Sequence, residues 1–359
     1  MFRQTVRKQL LGSLAVIFIA ACINVSVDPY GLFGFDFKSV NHYKYNETER
    51  MSKYYYLKRI RPEVVLMGTS RADILNQNIL SNYIGKRTVY NASLSGSTII
   101  EQTSYIKFCI DKLGTNVVFY GLDYHSFLGD GTQADFSLER LNGNNYYKAD
   151  FIQTIFSLSA LYNSGRTVLT NILGRPSNQD YQTGQMFIRN ANSEVDIVSK
   201  IKTIKEPVID KKIVDKNIQL LDKLVRLCDE KKVKLVLFIM PTPSGNFIKT
   251  YGRKNFESYI YWLKRITEIR AIYDFNYPNS VNSNYNLFYD DSHIQKESSK
   301  QIFARMLDDK NISVPTDFGV FVTKENINEH VAFLNEQIKQ WEISHSKEVA
   351  EILETKRKR

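Results

Sequence analysis

Short apolar runs alternate with longer segments of helical periodicity along most of the chain. The apolar runs predict five strands, at residues 64–67, 88–92, 117–120, 233–240 and 271–275. Between and after them, the periodicity predicts helices at residues 98–112, 214–231, 255–268 and 297–307. This alternation is typical of a parallel sheet covered by helices, and five strands suffice for a flavodoxin-like three-layer αβα sandwich.

An uncharged stretch follows a basic start at the amino terminus. Arg3, Arg7 and Lys8 precede residues 10–27, which contain no charged side chain. A run of about 18 apolar residues is long enough to cross a membrane, and a basic flank stays on the cytoplasmic side. The pattern predicts a single-pass anchor with an extracytoplasmic domain. Residues 19–22 (IAAC) also resemble a lipoprotein cleavage site, so lipid attachment at Cys22 is an alternative that exports the same domain.

Three regions lie outside the regular alternation. Residues 28–60 are an aromatic lead-in to a domain predicted at residues 61–309. Within that domain, the polar, glycine-rich residues 128–212 predict an inserted cap that carries substrate selectivity. Apolar residues recur at heptad-like spacing within the carboxyl-terminal region 310–359, and they favour a long helix that packs on the domain over a self-associating coiled coil.

The formal net charge of +10 does not by itself indicate a nucleic acid partner. The basic residues are spread along the chain, and an exported domain does not ordinarily meet nucleic acid. Anionic envelope polymers or lipid headgroups are the expected electrostatic partners. The three cysteines, Cys22, Cys109 and Cys228, have no metal-ligand spacing, and the last two are expected to be buried thiols. We therefore predict neither a metal site nor a nucleic acid partner.

A serine stands where the first predicted strand stops, in VVLMGTSRADIL at residues 64–75. A serine at a strand-to-helix bend projects its hydroxyl from the top of a sheet, where a substrate can reach it. Ser70 still needs a base, and the chain has five histidines. His293 follows Asp290 by three residues, a spacing that can place a carboxylate beside the imidazole ring. Ser70, His293 and Asp290 therefore predict a catalytic triad, with helix capping as the alternative role of Asp290.

These motifs together resemble the SGNH hydrolases, also called GDSL-type esterases. Gly68-Thr69-Ser70 is similar to the first block of that family, and Asp290 with His293 is similar to its last block. The resemblance covers about residues 61–309, and it implies a triad on a flavodoxin-like sheet with no metal or organic cofactor.

The resemblance also implies an oxyanion hole. Gly96 is similar to the family's second-block glycine, whose amide joins that of Ser70. Asp123 occupies the place of the third-block asparagine, where an ionised carboxylate would repel an oxyanion, and losing one donor costs about a hundred- to a thousandfold in rate. Two alternatives follow: Asn91 substitutes for the missing donor, or the site is slow. Arg71 and Asp123 are candidates for substrate binding, although Arg71 can equally pair with an acid such as Asp28 or Asp73.

The anchor, the GTSR form of the first block and the DPYG lead-in resemble exported proteins such as those of alginate O-acetylation and of D-alanyl transfer to teichoic acid. The resemblance implies a serine esterase or acyltransferase that acts on ester groups of an envelope glycan, with a membrane-protein partner as a further possibility. The alternative is a catalytically inactive SGNH-like protein that binds glycan or scaffolds a membrane assembly. Asp123 favours this alternative, whereas the retention of Ser70, Asp290 and His293 favours an enzyme.

Overall fold

The computed structural model describes residues 2–143, 147–174, 178–188 and 190–353. They fall into two compact units, which we call the anchor unit (residues 1–61 and 134–187) and the sheet unit (residues 62–133 and 188–359). The predicted lead-in therefore shares a unit with the central part of the predicted insertion, while both ends of that insertion belong to the sheet unit.

The described residues contain eight strands and fifteen α-helices. The strands are β1 Val64–Met67, β2 Val89–Asn91, β3 Val117–Leu122, β4 Gln179–Asp180, β5 Gln185–Met186, β6 Lys234–Ile239, β7 Ile272–Asp274 and β8 Val320–Val322. The helices are α1 Phe2–Val27, α2 Glu49–Ile60, α3 Ser70–Asp73, α4 Gln77–Tyr83, α5 Ile99–Phe108, α6 Leu138–Asn142, α7 Lys148–Phe156, α8 Leu158–Ile172, α9 Glu194–Thr203, α10 Lys211–Glu230, α11 Ser244–Thr250, α12 Phe256–Ile269, α13 Ser299–Leu307, α14 Ile327–Ser344 and α15 Ser346–Leu353.

The sheet unit is a mixed α/β structure built on a mostly parallel sheet of six strands. Their order is β2-β1-β3-β6-β7-β8, and every pair of neighbours is parallel except β7 and β8. All residues of β1 and β3 are buried, as expected for central strands covered on both faces. The five predicted strands are confirmed. The antiparallel strand β8 was not predicted, because it is only three residues long and exposes Phe321 at the sheet edge.

The four predicted helices are also confirmed, with small shifts at their ends. Helix α10 begins after Asp210, whose side chain accepts a hydrogen bond from the Lys212 amide, and it buries one apolar stripe that includes Leu221 and Leu224. Helix α5 ends at Phe108 and continues as one π-helical turn over Cys109–Leu113, which buries Cys109.

The carboxyl-terminal region packs on the sheet unit, as predicted, but it does so as two helices and not as one long helix. Helix α14 packs against α12, and α15 packs against α9 and α11. Leu334, Trp341 and Ile352 are buried in these contacts. Glu348, on the same seam, places its Oε1 atom 2.5 Å from the hydroxyl of Tyr285, so this carboxylate has a partner inside the unit.

The anchor unit combines the lead-in, helices α6 to α8 and the short β4–β5 hairpin. Tyr54, Tyr55 and Tyr56 on α2 are buried, so they supply packing area and not an exposed sugar-binding surface. The Tyr55 hydroxyl donates to the Asp150 carboxylate, which also accepts two hydrogen bonds from the Arg140 guanidinium. Helix α1 has 26 residues and is long and apolar enough to cross a membrane.

Replacing a buried residue of α10 tests its assigned core face. We expect Leu221→Ala to lower the free energy of unfolding of the full chain by about 2–5 kcal/mol, because it removes packed methyl groups and leaves a cavity. Lys223→Ala, at an exposed position of the same helix, serves as the matched control. Denaturant unfolding in detergent measures both changes. Equal effects of the two substitutions would contradict the assigned face.

Candidate active site

Ser70 stands at a tight bend between strand β1 and helix α3. The bend requires a glycine at position 68, because a Cβ atom there would lie 2.6 Å from the Ala72 side chain and 2.7 Å from the Gly121 carbonyl oxygen. The Thr69 side chain caps α3 by accepting a hydrogen bond from the Arg71 amide. Ser70 is therefore the first residue of α3, at the carboxyl edge of the sheet.

The predicted triad residues lie in mutual contact. Ser70 Oγ is 3.0 Å from His293 Nε2, and His293 Nδ1 is 2.9 Å from Asp290 Oδ1 and 3.0 Å from Asp290 Oδ2. With the ring proton on Nδ1 directed at the carboxylate, Nε2 is free to accept the serine proton. The tertiary fold thus joins a hydroxyl, a base and an orienting carboxylate across 223 residues of sequence.

Asp290 also shapes the turn that presents His293. Its Oδ1 atom accepts hydrogen bonds from the backbone amides of Ser292 and His293. The turn is closed by the Tyr289 amide, which donates to the His293 carbonyl. The alternative role of Asp290 as a helix cap was wrong, because these amides belong to the turn and precede the next helical segment, which starts at Lys296.

The environment of Asp290 keeps its carboxyl ionised. Burial raises the pKa of this group, but the hydrogen bonds and charge of His293 and the amides of Ser292 and His293 lower it more. The net pKa of Asp290 therefore lies below its ordinary value. An ionised carboxylate is the form that can hold the Nδ1 proton of His293 and stabilise the ring when it becomes charged.

Two backbone amides are available beside Ser70. Gly96 adopts a left-handed conformation with φ of +58°, in the turn that follows β2. That turn is tied to the Ser70 bend, because the Leu94 amide donates to the Gly68 carbonyl at 2.9 Å. Within the described residues, the amides of Ser70 and Gly96 donate to no protein acceptor. Both residues line one cleft, as an oxyanion hole requires.

Asn91 does not serve this cleft, and its predicted oxyanion role was wrong. The side chain is fully buried, and Nδ2 donates to the carbonyl oxygens of Ala72, Asp73 and Leu75 at 3.0 to 3.2 Å. Its Oδ1 atom accepts from the Ser93 amide. Asn91 therefore fastens the end of α3 to the end of β2 and has no donor left for a substrate.

Asp123 and Arg71 neutralise each other. Arg71 Nη1 lies 3.1 Å from Asp123 Oδ1, which also accepts from the His125 amide, while Thr69 Oγ1 donates to Asp123 Oδ2. Burial lowers the pKa of Arg71, but Asp123, Tyr251 and Asp291 outweigh that effect and raise it. Pairing of Arg71 with Asp28 or Asp73 was wrong, because its carboxylate partner is Asp123. The Asp123 carboxylate is thus compensated.

These residues surround a cleft of about 650 Å³ in the sheet unit. Ser70, Gly96 and His293 line it together with both members of the Arg71–Asp123 pair. Five further lining residues come from the two ends of the predicted insertion, namely Leu128, Gly129, Gln133, Pro207 and Val208. The site lies at the carboxyl edge of β1, which has β2 on one side and β3 on the other. The strand order reverses at this point, and the carboxyl edge at such a reversal is the usual ligand site of open α/β sheets.

The remaining candidate groups of the described residues are the cysteines and, near the cleft, a histidine. Among the described residues, no group of three His, Cys, Asp or Glu side chains could hold a metal ion. Cys109 and Cys228 are buried free thiols, as predicted, and burial raises the pKa of Cys228 to about 11. His125 lines the cleft but is exposed, and its backbone amide is the group that Asp123 binds.

Three residues that the sequence reasoning missed support the site. Thr69 caps α3 and contacts Asp123, a role that a threonine before a short helix could have indicated. Tyr251 is buried, and it helps to raise the pKa of the Arg71 guanidinium. Gln133 Nε2 donates to the Gly96 carbonyl and fixes that peptide. Nothing local in the sequence links Tyr251 or Gln133 to Ser70.

No protein-family model matches the chain, and no curated protein matches it significantly. Inference about its chemistry therefore depends on the geometry of the cleft itself.

Substitution of Asn91 separates a structural role from a catalytic one. We expect Asn91→Ala to lower the free energy of unfolding by about 1–3 kcal/mol, because buried carbonyl groups lose their donor. Asn78→Ala, at an exposed position on α4, is the control. Thermal and denaturant unfolding of the full chain measure the effect. Unchanged stability of Asn91→Ala would show that these hydrogen bonds do not hold α3.

The lowered pKa of Asp290 predicts a specific dependence of stability on pH. Because the folded pKa lies below the unfolded value of about 3.9, ionised Asp290 stabilises the fold fully above that pH and loses this effect as the pH falls through the folded pKa. Asp290→Asn removes the titration. We therefore expect the difference in unfolding free energy between wild type and Asp290→Asn to be largest near neutral pH and to shrink towards about pH 3. A difference that stays constant over this range would contradict the assignment.

Proposed function

We propose that this chain is a membrane-anchored serine esterase or O-acyltransferase of the SGNH type that acts on ester groups of an envelope glycan. The observation that carries the proposal is the continuous contact from Ser70 Oγ through the His293 ring to the Asp290 carboxylate. An isolated serine hydroxyl is a poor nucleophile, whereas one that contacts an oriented imidazole can be deprotonated as it attacks.

The proposed reaction proceeds through an acyl-serine. Ser70 Oγ attacks the ester carbonyl while His293 Nε2 takes its proton, and Asp290 stabilises the charged ring. The amides of Ser70 and Gly96 donate to the oxyanion. The alkoxide leaves with the proton from His293, and the acyl group remains on Ser70. Water or a sugar hydroxyl then attacks this ester while His293 accepts and returns a proton, which gives hydrolysis or transfer.

Two features of the fold support an SGNH-type assignment. The parallel strands are β1, β2, β3, β6 and β7. When they are numbered 1 to 5 along the chain, their order in the sheet is 2-1-3-4-5, which is the flavodoxin-like order. Ser70 follows the first of these strands, and the Asp290–His293 turn follows the last, as in the family that the motifs resemble. The GTSR bend lacks the second glycine of the α/β-hydrolase elbow, which favours the SGNH assignment over that fold.

The amino terminus supports action outside the cytoplasm. The basic residues Arg3, Arg7 and Lys8 precede the apolar part of α1, so the positive-inside rule directs the residues after Val27 away from the cytoplasm. Cys22 lies inside a helix that continues to Val27, which favours an uncleaved anchor over lipid attachment at that cysteine. An envelope glycan is the acylated polymer that such a domain would meet.

A non-catalytic glycan-binding or scaffolding role is the second candidate. Asp123 supports it, because a carboxylate in the place of the family's oxyanion asparagine donates no hydrogen bond. Pairing with Arg71 offsets most of the negative charge of Asp123 that would repel an oxyanion. It does not supply the hydrogen bond that an asparagine at this place would donate.

Labelling with a fluorophosphonate tests the enzymatic proposal directly. We expect full-length protein in detergent to be labelled on Ser70, and His293→Ala to slow labelling by about 10²–10⁴-fold because the general base is lost. Ser292→Ala is the matched control, since this serine lines the same cleft but contacts Asp290 through its backbone amide. Peptide mass spectrometry identifies the labelled residue.

Two outcomes would reject the enzymatic proposal. Folded wild-type protein that takes no label would favour the binding role. Labelling that is unchanged in His293→Ala would mean that Ser70 is not activated by this histidine. If labelling behaves as expected, release of acetate from an O-acetylated polysaccharide, with and without an acceptor glycan, distinguishes hydrolysis from transfer.

A further inference from the structure

Helix α8 in the anchor unit has an inverted distribution of polar and apolar residues. Asn163, Ser164 and Thr167 are buried on its inner side. Leu158 and Ile172, in contrast, are 82% and 69% exposed. The exposed apolar residues Leu158, Tyr162, Leu169 and Ile172 recur at helical spacing and form one stripe. A helix on the surface of a water-soluble protein has the opposite arrangement.

The buried polar residues of α8 are bonded, so the inversion is part of the folded structure. Asn163 Nδ2 donates to the Tyr30 hydroxyl at 3.2 Å, and Thr167 Oγ1 accepts from the Tyr45 amide at 2.9 Å. Asn171 exchanges hydrogen bonds with the backbone of Tyr43. Rotating α8 to bury its apolar stripe would break these bonds and leave polar groups without partners.

Helix α7 shows the same inversion. Asp150 and Thr154 are buried, and Asp150 is held by the Arg140 guanidinium. Ile152 and Phe156 are about 60% exposed. We call the exposed apolar residues of both helices the outer apolar face: Phe151, Ile152, Phe156, Leu158, Tyr162, Leu169, Ile172 and Leu173. Eight exposed apolar residues on two neighbouring helices are typical of a surface that contacts a membrane or another protein.

Asn24 connects this pair of helices to α1, the helix that is long enough to cross a membrane. Its Nδ2 atom donates to the carbonyl oxygens of Ile155 and Ser157, and its Oδ1 atom accepts from the Ser164 hydroxyl. Asn24 lies three residues, or about 5 Å along the helix axis, before the end of α1. Residues 2–19 of α1 are all exposed, so only its last two turns contact the rest of the anchor unit.

We propose that α7 and α8 lie in the outer interfacial layer of the same bilayer that α1 crosses, with the outer apolar face directed towards the acyl chains. The 15 residues of α8 span about 22 Å, which is too short to cross a hydrocarbon core of about 30 Å. A helix that lies in the interface buries its apolar side about 5–10 Å deep. Asn24 holds the α7–α8 junction about 5 Å before the end of α1, so the junction lies next to one end of the apolar helix.

The charges of the two helices fit a surface of anionic lipid headgroups. Residues 148–172 contain two basic residues, Lys148 and Arg166, and a single acidic residue, Asp150. Asp150 is buried against Arg140, so the charge presented outwards is positive. Arg166 is exposed and lies 4.5 Å from the ring of Tyr45, close to the apolar stripe. Interfacial helices commonly combine an apolar side with flanking basic residues. The proposal does not depend on catalysis by Ser70.

Fluorescence quenching in vesicles measures where the outer apolar face lies. Full-length protein is reconstituted into phosphatidylcholine–phosphatidylglycerol vesicles, with Cys22→Ser as background because Cys22 is exposed whereas Cys109 and Cys228 are buried. A bimane reporter is attached at Leu169→Cys. Reference reporters are Ile17→Cys on α1, for the bilayer, and Glu139→Cys at an exposed charged position of α6, for water. Brominated lipids and aqueous iodide serve as the two quenchers.

We expect the Leu169 reporter to be quenched by lipids brominated on the acyl chain, to at least half the extent of the Ile17 reporter. We also expect iodide to quench it several-fold less than the Glu139 reporter. Iodide quenching equal to that at Glu139, without quenching by brominated lipid, would place α8 in water and overturn the proposal. Protection from both quenchers would mean that a protein surface covers the face, which also overturns it.

Discussion

The close approach of three backbone segments at Gly68 is the constraint on which the site depends. With no side chain at this position, α3 can start immediately beside the Gly121 carbonyl at the end of β3. The Gly68 carbonyl in turn accepts a hydrogen bond from the Leu94 amide, which holds the turn after β2. The ends of β1, β2 and β3 are thereby joined at one point, and Ser70, the Gly96 amide and the Arg71–Asp123 pair are placed around it.

The two carboxylates near Ser70, those of Asp290 and Asp123, are held by different partners. Asp290 is held ionised by His293 and two turn amides, and it contacts the Nδ1 atom of the His293 ring. Asp123 is compensated by Arg71 and by Thr69, so it adds no unpaired negative charge to the cleft that it lines. The carboxylates of Asp290 and Asp123 thus stand in different environments because their partners differ, although both lie in loops at the same edge of the sheet.

The helices of the two units bury opposite kinds of side chain. In the sheet unit, α10 buries apolar residues and exposes lysines, as a helix in water does. In the anchor unit, α7 and α8 bury polar side chains that bond to the lead-in and to Asn24, and they expose leucine, isoleucine and phenylalanine. Both arrangements satisfy buried polar groups, but only a nonaqueous environment makes the second favourable. Helix α1 belongs to the same unit, and its apolar length also fits a nonaqueous environment.

Local sequence determined the features that depend on neighbouring residues: the amphipathic stripe of α10, the buried strands, the apolar length of α1, and the candidate residues Ser70, Asp290 and His293. Periodicity and turn chemistry act over a few residues, so a sequence displays them directly. The partners of Asn91, Arg71 and the polar side of α8 were decided only by tertiary structure. A buried donor bonds to whichever acceptor the fold brings within about 3 Å, and chain separation carries no information about that distance.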